Sequence, residues 1–251
     1  MKSVLFFATI LLFVSCKDAK VEPVKISGQQ ININPEIEKN DSIENFIKPY
    51  RDKIEAEMNE VLAFTPESMF KTDTDLNTAI GNMMADAVIE IGDPIFHERT
   101  NKNIDLALLN FGGIRSGINA GDITTRTAFN IMPFENEVVV VELSPDQTKK
   151  LIDYLVSAKI AHPFSGLKIE LNSDGNLQSA LVNNEQIRND RNYFVATSDY
   201  LLKGGDNMTF FENAESVEYL NYKLRNLFID YFKVHDTIAP IQDKRFTQRK
   251  N

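Results

Sequence analysis

Six consecutive residues, Asn110 to Arg115, hold the densest group of chemically special residue types in the sequence. Gly112 and Gly113 allow the backbone a positive φ or a close approach to a ligand. Arg115 carries a planar guanidinium, which suits phosphate or carboxylate oxygens. A mostly apolar run at residues 104–109 precedes the segment and predicts a buried strand that ends there. The pattern therefore predicts anion capture on a tight turn at a strand end.

Two further segments, around Phe134 and around Tyr200, combine an aromatic ring with polar side chains near predicted strand ends. Binding residues of α/β folds gather on loops in such places. A ring face at Phe134 or Tyr200 offers a surface on which a nucleobase stacks. The amide of Asn136 and the carboxylate of Asp206 offer hydrogen bonds that orient a base and a ribose. Together, these segments predict a slot for a nucleoside.

Each of these features also has a purely structural interpretation. An aromatic residue beside a strand is usually a core side chain, which applies to both Phe134 and Tyr200. Gly204 and Gly205 are consistent with a plain turn, and Asp206 with a cap on the residues that follow. The residues taken one at a time leave these alternatives open.

The order of the motifs resembles the C-terminal domain of the 5′-nucleotidase family, whose members include UDP-sugar hydrolases and 2′,3′-cyclic phosphodiesterases. The resemblance covers about Val24 to Phe246. It implies an α/β fold, layered α-β-β-α with mixed sheets. The motifs fall in family order: Ile80-Gly81-Asn82, Ala85-Asp86-Ala87, Asn110 to Arg115, Gly121 to Thr124, Pro133 to Asn136, Ser165-Gly166, Tyr200, and Gly204 to Asp206.

The resemblance also implies a role for each matching residue. Phe134 and Tyr200 would clasp the base, with Tyr200 standing where the family usually has phenylalanine. Asn136 would hydrogen-bond the base edge, and Asp206 would take the ribose hydroxyls. Arg115 would reach the phosphate or the adjoining sugar. The implied substrate-binding set is completed by the residues that shape the loops against the ligand: Asn110, Gly112, Gly113 and Gly205.

One departure from the family pattern concerns the phosphate. Where the family usually carries arginine and glutamate, the arginine helping to hold the phosphate, this sequence has Thr74 and Asn77. Phosphate capture is therefore expected to be weaker or to be moved, with Lys71 as the candidate.

The second departure concerns metals. Family members carry an N-terminal metallophosphoesterase domain that binds two metal ions, and such a centre needs several converging Asp, His or Asn ligands. The three histidines, His97, His162 and His235, are widely separated and lie in no ligand motif. We expect them to be ordinary surface histidines. We therefore expect no metal or other cofactor in this chain, and divalent metals in a separate metallophosphoesterase partner.

The elements that must position these residues alternate between helix and strand, as in an α/β fold with a mixed sheet. Apolar residues that recur every three or four positions predict helices at Asp41–Leu62, Leu76–Ile91, Pro145–Lys159 and Val217–Phe232. Apolar runs predict strands at Ile104–Leu109, Val138–Leu143, Leu167–Leu171, Ala180–Val182 and Tyr193–Thr197. Gly92-Asp93-Pro94 is expected to stop the second helix, Asn172 to Asn176 to turn a hairpin, and structure to begin at Val24–Ile33.

The N-terminus predicts export. Lys2 is followed by an apolar run, Val4 to Val14, that is too short to span a bilayer. Cys16 is the only cysteine, and the residues before it are similar to a bacterial lipobox. We expect a signal peptide at residues 1–15, lipidation of Cys16, a tether at residues 16–23, the folded domain at residues 24–247, and anchoring in the bacterial cell envelope. An ordinary secretory peptide is the alternative.

Net charge limits the partners. The sequence has 27 basic and 36 acidic residues and a formal charge of −9, so its average field repels nucleic acid. An anionic nucleotide must therefore be drawn by a local basic site, and Arg115 is a candidate for that role.

The combined interpretation is the nucleotide-binding component of a 5′-nucleotidase-type hydrolase in nucleotide catabolism, working with a separate metallophosphoesterase. A nonenzymatic lipoprotein that binds nucleosides or nucleotides for scavenging is the alternative. A structural or interaction module that has kept the fold is the third possibility. The sequence has no Gly-x-Ser-x-Gly motif, and independent phosphatase activity is the least favoured interpretation.

Overall fold

A computed structural model describes residues 27–249 of the 251-residue chain. The predicted signal peptide, Cys16 and the tether lie outside the described residues. The predicted first element, Val24–Ile33, lies partly outside them, and its described part, residues 27–33, has no regular secondary structure. None of the helices in residues 27–249 is both long and apolar enough to cross a membrane.

Helices and strands are mixed along the chain, which confirms the predicted α/β class. The helices are α1 Asp41–Met58, α2 Ala79–Thr100, α3 Thr125–Ile131, α4 Pro145–Ala158, α5 Asp199–Leu202 and α6 Leu224–Val234. The strands are β1 Val61–Thr65, β2 Leu106–Leu108, β3 Gly121–Thr124, β4 Glu137–Leu143, β5 Phe164–Ser165, β6 Leu167–Leu171, β7 Leu177–Val182, β8 Glu185–Gln186, β9 Tyr193–Ser198, β10 Ser216–Lys223 and β11 Phe246–Gln248.

The largest described sheet has five strands in the order β10-β4-β9-β2-β5. Its strand β9 pairs antiparallel with β4 and parallel with β2, so the sheet is mixed as predicted. A four-stranded sheet has the order β11-β6-β7-β8, with β11 parallel to β6. Strands β1 and β3 form a separate antiparallel pair.

Strand β4 of the five-stranded sheet is buried on both faces. Successive side chains of a strand point to opposite sides of the sheet. On β4, Val138 and Val140 join the core that contains side chains of α2 and α6. The alternate residues Val139 and Val141 join a second core with side chains of α4 and β6. Helices α2 and α6 therefore cover one face of the five-stranded sheet, and α4 and the four-stranded sheet cover the other.

The predicted stop at Gly92-Asp93-Pro94 is wrong, because α2 continues through Pro94 to Thr100. Phe96 is buried in the core beyond the proline, and the Arg99 guanidinium donates to the Leu220 carbonyl at 3.1 Å. These tertiary contacts offset the missing proline donor. The helix ends instead where Asn101 takes a left-handed conformation, with φ 56°.

Two other predicted helix boundaries are wrong because strand pairing takes over. The predicted helix Val217–Phe232 is two elements, since β10 occupies its first part and α6 begins only at Leu224. Tyr219 of β10 pairs with Val139 of β4. The first helix ends at Met58 rather than at Leu62, because the following residues form β1. The β6–β7 hairpin and strands β2, β4 and β9 are confirmed to within a few residues.

Candidate functional site

The sheet topology brings the three predicted site segments to one edge. Strand β9 lies between β2 and β4. Because β2 runs parallel to β9, Asn110 leaves β2 at the edge where Tyr200 leaves β9. Because β4 runs antiparallel to β9, Phe134 enters β4 at that same edge, where Val138 pairs with Ser198.

Asp206 is the centre of the hydrogen bonds at this edge. The Asn110 amide donates to its Oδ2 at 2.7 Å, and the Tyr200 hydroxyl donates to its Oδ1 at 3.0 Å. The Tyr154 hydroxyl donates to its main-chain carbonyl at 2.9 Å. These bonds hold Asp206 at φ 52°, a left-handed conformation that is unfavourable for a residue with a Cβ. Each carboxylate oxygen can accept one more hydrogen bond, so Asp206 has capacity for ligand hydroxyls.

The Tyr200 ring rests on the main chain of Gly205. A Cβ built on Gly205 would stand 2.5 Å from Cε1 and Cζ of the ring, so this position has room only for glycine while the ring stays in place. Tyr200 is 44% exposed and is not a core aromatic. The hydrogen bond to the Asp206 carboxylate and the repulsion from its charge raise the pKa of the Tyr200 hydroxyl.

Phe134 is 40% exposed, so it is not a core aromatic either. The guanidinium carbon of Arg115 lies 5.7 Å from the centre of the Phe134 ring, a cation–π arrangement. The Arg115 N–H donates to the Ile131 carbonyl at 3.0 Å, which ties this loop to α3. Across residues 27–249, the Arg115 guanidinium has no ion pair or hydrogen bond. An exposed cation with spare donors therefore lies beside an exposed ring.

The loop that carries Phe134 is held by Arg225, a buried residue of α6. The Arg225 guanidinium donates to the carbonyls of Pro133 at 3.3 Å and Phe134 at 3.4 Å. It also forms an ion pair with Glu135, which lowers the pKa of that carboxyl. Arg225 is a supporting residue that the sequence reasoning missed, because nothing in a helical segment marks one arginine as buried.

Asn136 stands at the point where the Phe134 loop enters the sheet. Its main-chain carbonyl accepts the Leu224 N–H at 2.9 Å, and the following residue, Glu137, donates its N–H to the Asp199 carboxylate at 3.0 Å. The Asn136 side chain is half-buried and makes no hydrogen bond within the part of the chain described. Its amide is therefore available to a ligand.

His162 is buried beside the site, so its prediction as a surface histidine is wrong. It is 5% exposed, and its Nδ1 accepts the Phe111 N–H at 3.1 Å. Burial lowers its pKa to about 4, although the Asp206 charge acts in the opposite direction. Its Nε2 is buried without a partner among the described residues. The neutral ring thus holds the main chain at Phe111 by one hydrogen bond. The one sign of its burial in the sequence is the apolar character of the residues on either side of it.

The other histidines lie nearer the surface. His97 is exposed, and His235 Nε2 is 2.7 Å from the Glu90 carboxylate. Within residues 27–249, no three His, Cys, Asp or Glu side chains are grouped so that they could hold a metal ion.

The departure from the family's phosphate-binding pattern concerns Thr74 and Asn77, whose side chains bond to the protein itself. The Thr74 hydroxyl donates to the Asn77 carbonyl, and Asn77 is buried with its amide donating to the Asp243 carbonyl at 3.0 Å. Lys71 contacts the segment from Asn110 to Arg115. Its Nζ donates to the Ile114 carbonyl at 2.9 Å and lies 4.5 Å from the centre of the Phe111 ring.

Comparison with known proteins gives consistent matches. A profile of the 5′-nucleotidase C-terminal domain matches residues 56–213. A 5′-nucleotidase of Vibrio parahaemolyticus is 25% identical over 224 residues, covering 84% of this chain and 37% of its own. Protein UshA of Escherichia coli is 26% identical over 196 residues, covering 74% of this chain and 33% of its own. The chain thus spans about a third of the length of these two relatives.

Solved structures resemble the chain in fold. The 5′-nucleotidase precursor of Thermus thermophilus superposes with a TM-score of 0.68 at 20% identity, covering 83% of this chain and 43% of its own. The NAD nucleotidase of Haemophilus influenzae superposes with a TM-score of 0.62 at 18% identity, covering 84% of this chain and 42% of its own. The likeness extends over most of the α/β fold described above.

Proposed function

Because the chain belongs to the 5′-nucleotidase C-terminal domain family, we propose that it is the substrate-binding component of a 5′-nucleotidase-type hydrolase in nucleotide catabolism. The observation that carries the proposal is the pair of exposed rings, Phe134 and Tyr200, delivered by neighbouring strands to one sheet edge next to Asp206. Two exposed aromatic rings with polar groups at their edges suit a nucleobase.

In this proposal the base stacks on Phe134 and Tyr200, and the free amide of Asn136 bonds the base edge. The ribose hydroxyls donate to Asp206, whose oxygens are already oriented by Asn110 and Tyr200. The backbone of the ligand-facing loops is kept close by glycines: Gly112, whose hypothetical Cβ would lie 3.6 Å from the Asp206 carboxylate, with Gly113 and Gly205.

The phosphate is assigned to Arg115, with Lys71 as the second cation. Arg115 has unused guanidinium donors within residues 27–249 and lies beside the proposed base wall. A guanidinium binds two phosphate oxygens at once, which gives the contact both strength and direction.

Cleavage of the phosphate ester is assigned to a separate metallophosphoesterase. A two-metal centre in that protein would activate the attacking water, and this chain would hold the nucleoside so that its phosphate reaches the metals. Export and lipidation at Cys16 would keep the chain at the bacterial envelope, where the two proteins would meet.

Calorimetric titration with adenosine and AMP tests the binding site. Replacing Phe134 with alanine should weaken binding by about 1–3 kcal/mol, the value of one stacking partner, or about 5-fold to 150-fold in Kd. Phe64→Ala is the matched control, since Phe64 is 46% exposed and lies on β1, outside the five-stranded sheet. Wild-type affinity in Phe134→Ala, or an equal loss in Phe64→Ala, would contradict the proposal.

A nonenzymatic scavenging lipoprotein is the second candidate function. It is favoured by the position of Thr74 and Asn77, which bond to the protein itself and offer no cation for a phosphate. Tighter binding of AMP than of adenosine supports the hydrolase component, whereas tighter binding of adenosine supports scavenging. Failure of both ligands to bind would leave a structural or interaction module.

The division of labour needs its own assay. Nucleotide hydrolysis by a purified metallophosphoesterase from the same envelope should rise when this protein is added. An equal rate without it would contradict the partnership. Metal-dependent hydrolysis by this protein alone, lost in its Asp206→Ala variant, would show that no partner is needed.

A further inference from the structure

A second surface feature lies beside the proposed nucleoside site, and the proposed function uses only one of its cations, Lys71. This basic groove has a volume of about 880 Å³ and is lined by three cationic side chains, Lys71, Lys159 and Arg249, against one carboxylate, Asp75. None of the three cations forms an ion pair with any residue of the described range 27–249. Lys71 uses one of its ammonium donors on a carbonyl and keeps two.

The backbone around Lys159 determines where its ammonium group lies. It ends α4 in a left-handed conformation with φ 49°. Its Nζ lies over Gly175, at the turn of the β6–β7 hairpin, where an added Cβ would stand 2.4 Å away. The same point lies 3.4 Å from the Gln248 amide, next to Arg249 in sequence. The hairpin turn, the end of α4 and strand β11 therefore meet at this wall of the groove.

Charge identifies the class of ligand. The protein has nine more acidic than basic residues, yet this groove collects three cations and one acid. Unneutralised cations that line one concave surface focus a positive field, which attracts a multiply charged anion. The groove volume lies in the range that holds a small-molecule ligand.

We propose that the basic groove binds an oligophosphate chain, a ligand with two or more linked phosphate groups. The groove and the nucleoside site share one loop, because Phe111 lines the groove while its neighbours Asn110 and Gly112 lie against Asp206. The phosphates therefore come either from a free oligophosphate or from the tail of a nucleoside polyphosphate held in the neighbouring site. The cations of the groove contact the same chemical group in both cases.

Calorimetry of the full protein with inorganic tripolyphosphate, in magnesium-free buffer, tests the groove. The double variant Lys159→Gln/Arg249→Gln should weaken binding by about tenfold or more, because two charge-assisted contacts are lost. The matched control, Lys150→Gln/Lys168→Gln, removes two exposed lysines outside the groove and should change Kd by less than about twofold.

Adenosine and ATP distinguish the two sources of phosphate. Loss of tripolyphosphate affinity in the groove variant, with ATP affinity unchanged, identifies a free oligophosphate as ligand. Loss of ATP affinity in the groove variant, with adenosine affinity unchanged, identifies a nucleotide tail. The proposal is overturned if neither tripolyphosphate nor ATP binds the groove variant more weakly, or if the control variant loses as much. Failure of adenosine to bind would contradict only the nucleoside site.

Discussion

At the scale of single residues, the ring and the hydroxyl of Tyr200 have different roles in the proposed site. The ring rests on Gly205, and the hydroxyl donates to Asp206 Oδ1. Tyr200→Phe keeps the ring and removes that donor, so we expect adenosine affinity to fall by about 0.5–1.5 kcal/mol. Tyr200→Ala removes both and should cost about 1–3 kcal/mol for the stacking face alone. Titration calorimetry of the two variants measures the difference, and equal losses would show that the hydroxyl alone matters.

His162 makes stability depend on pH. Its pKa is lowered to about 4 in the folded protein, against the ordinary value of 6.5. Below pH 6.5 the unfolded chain therefore takes up a proton that the folded protein refuses, and stability falls as pH falls from about 6.5 to 4. From pH 7 to pH 5, this one group should lower the free energy of unfolding by about 2 kcal/mol.

The non-titrating variant His162→Gln isolates that contribution. Its amide oxygen can accept the Phe111 N–H, but it gains no charge on acidification. Urea unfolding at pH 7 and pH 5 should show a smaller loss in the variant, by about 2 kcal/mol. The same pH dependence in both proteins would mean that His162 is protonated in the folded state at pH 5.

The sequence predicts those site residues that belong to recognisable motifs. The motifs predict one site for Asn110, Tyr200 and Asp206, and the structure joins these residues by direct hydrogen bonds. His162 and Arg225 were missed, because their importance comes from burial against elements distant in the sequence. A single histidine or arginine carries no local sign of such burial.

At the scale of elements, Gly166 controls how closely β6 passes the start of β2. Its φ is +74°, and an added Cβ would lie 2.3 Å from the Asp105 carbonyl oxygen. Gly166→Ala should therefore destabilise the fold by about 3 kcal/mol or more, from backbone strain and overpacking together. Gly121 is the matched control, since it also has a positive φ, +121°, but has open space around it. Gly121→Ala should cost only about 1–2 kcal/mol.

Urea unfolding of the two glycine variants gives the comparison. Similar losses at both positions would show that the β6 connection yields to the extra methyl group, and that Gly166 is needed only for its backbone conformation. The short distance from an added Cβ at position 166 to the Asp105 carbonyl oxygen would then not affect the free energy of unfolding.

Element boundaries were predictable wherever a single period covers a segment. Strand β4 is an apolar run from Val138 to Leu143 broken only by Glu142, and its predicted bounds are confirmed to within one residue. Val217–Phe232 changes from strand to helix at Lys223, and the helical spacing of its second half concealed the alternation in the first. The continuation of α2 beyond Pro94 follows from tertiary contacts, which local rules do not contain.

At the scale of the whole molecule, the fold continues beyond the matched family region. That region ends at residue 213, but β10 and α6 follow it. The α6 side chains that are fully buried in the core are Leu224, Leu227, Phe228 and Phe232. At about 1.5–3 kcal/mol each, their burial contributes as much as the whole stability of a typical domain.

A chain that ends at Asn213 should therefore lack cooperative unfolding. Urea titration followed by circular dichroism measures this, and a chain that ends at Arg249 serves as the control with both elements retained. A cooperative transition in the shorter chain would show that the strands from β1 to β9 are stable without their covering helix.

The global arrangement was only partly readable from the sequence. The class and the mixed sheets followed from the alternating elements and from the motif order, and both are confirmed. The position of β9 between β2 and β4 did not, because strand order depends on pairings between residues far apart in the chain. That order is what turns three loops into one candidate site.

The contact between the Tyr200 ring and Gly205 couples the two positions in any future variation of this protein. A side chain at 205 needs the space that the ring occupies, since its Cβ would stand 2.5 Å from ring atoms. Tyr200→Ala vacates that space, so the second change Gly205→Ala costs less after it than before it, and the two effects do not add. Replacement of Gly205 is therefore expected to be tolerated better in homologues that have already lost the aromatic ring at position 200.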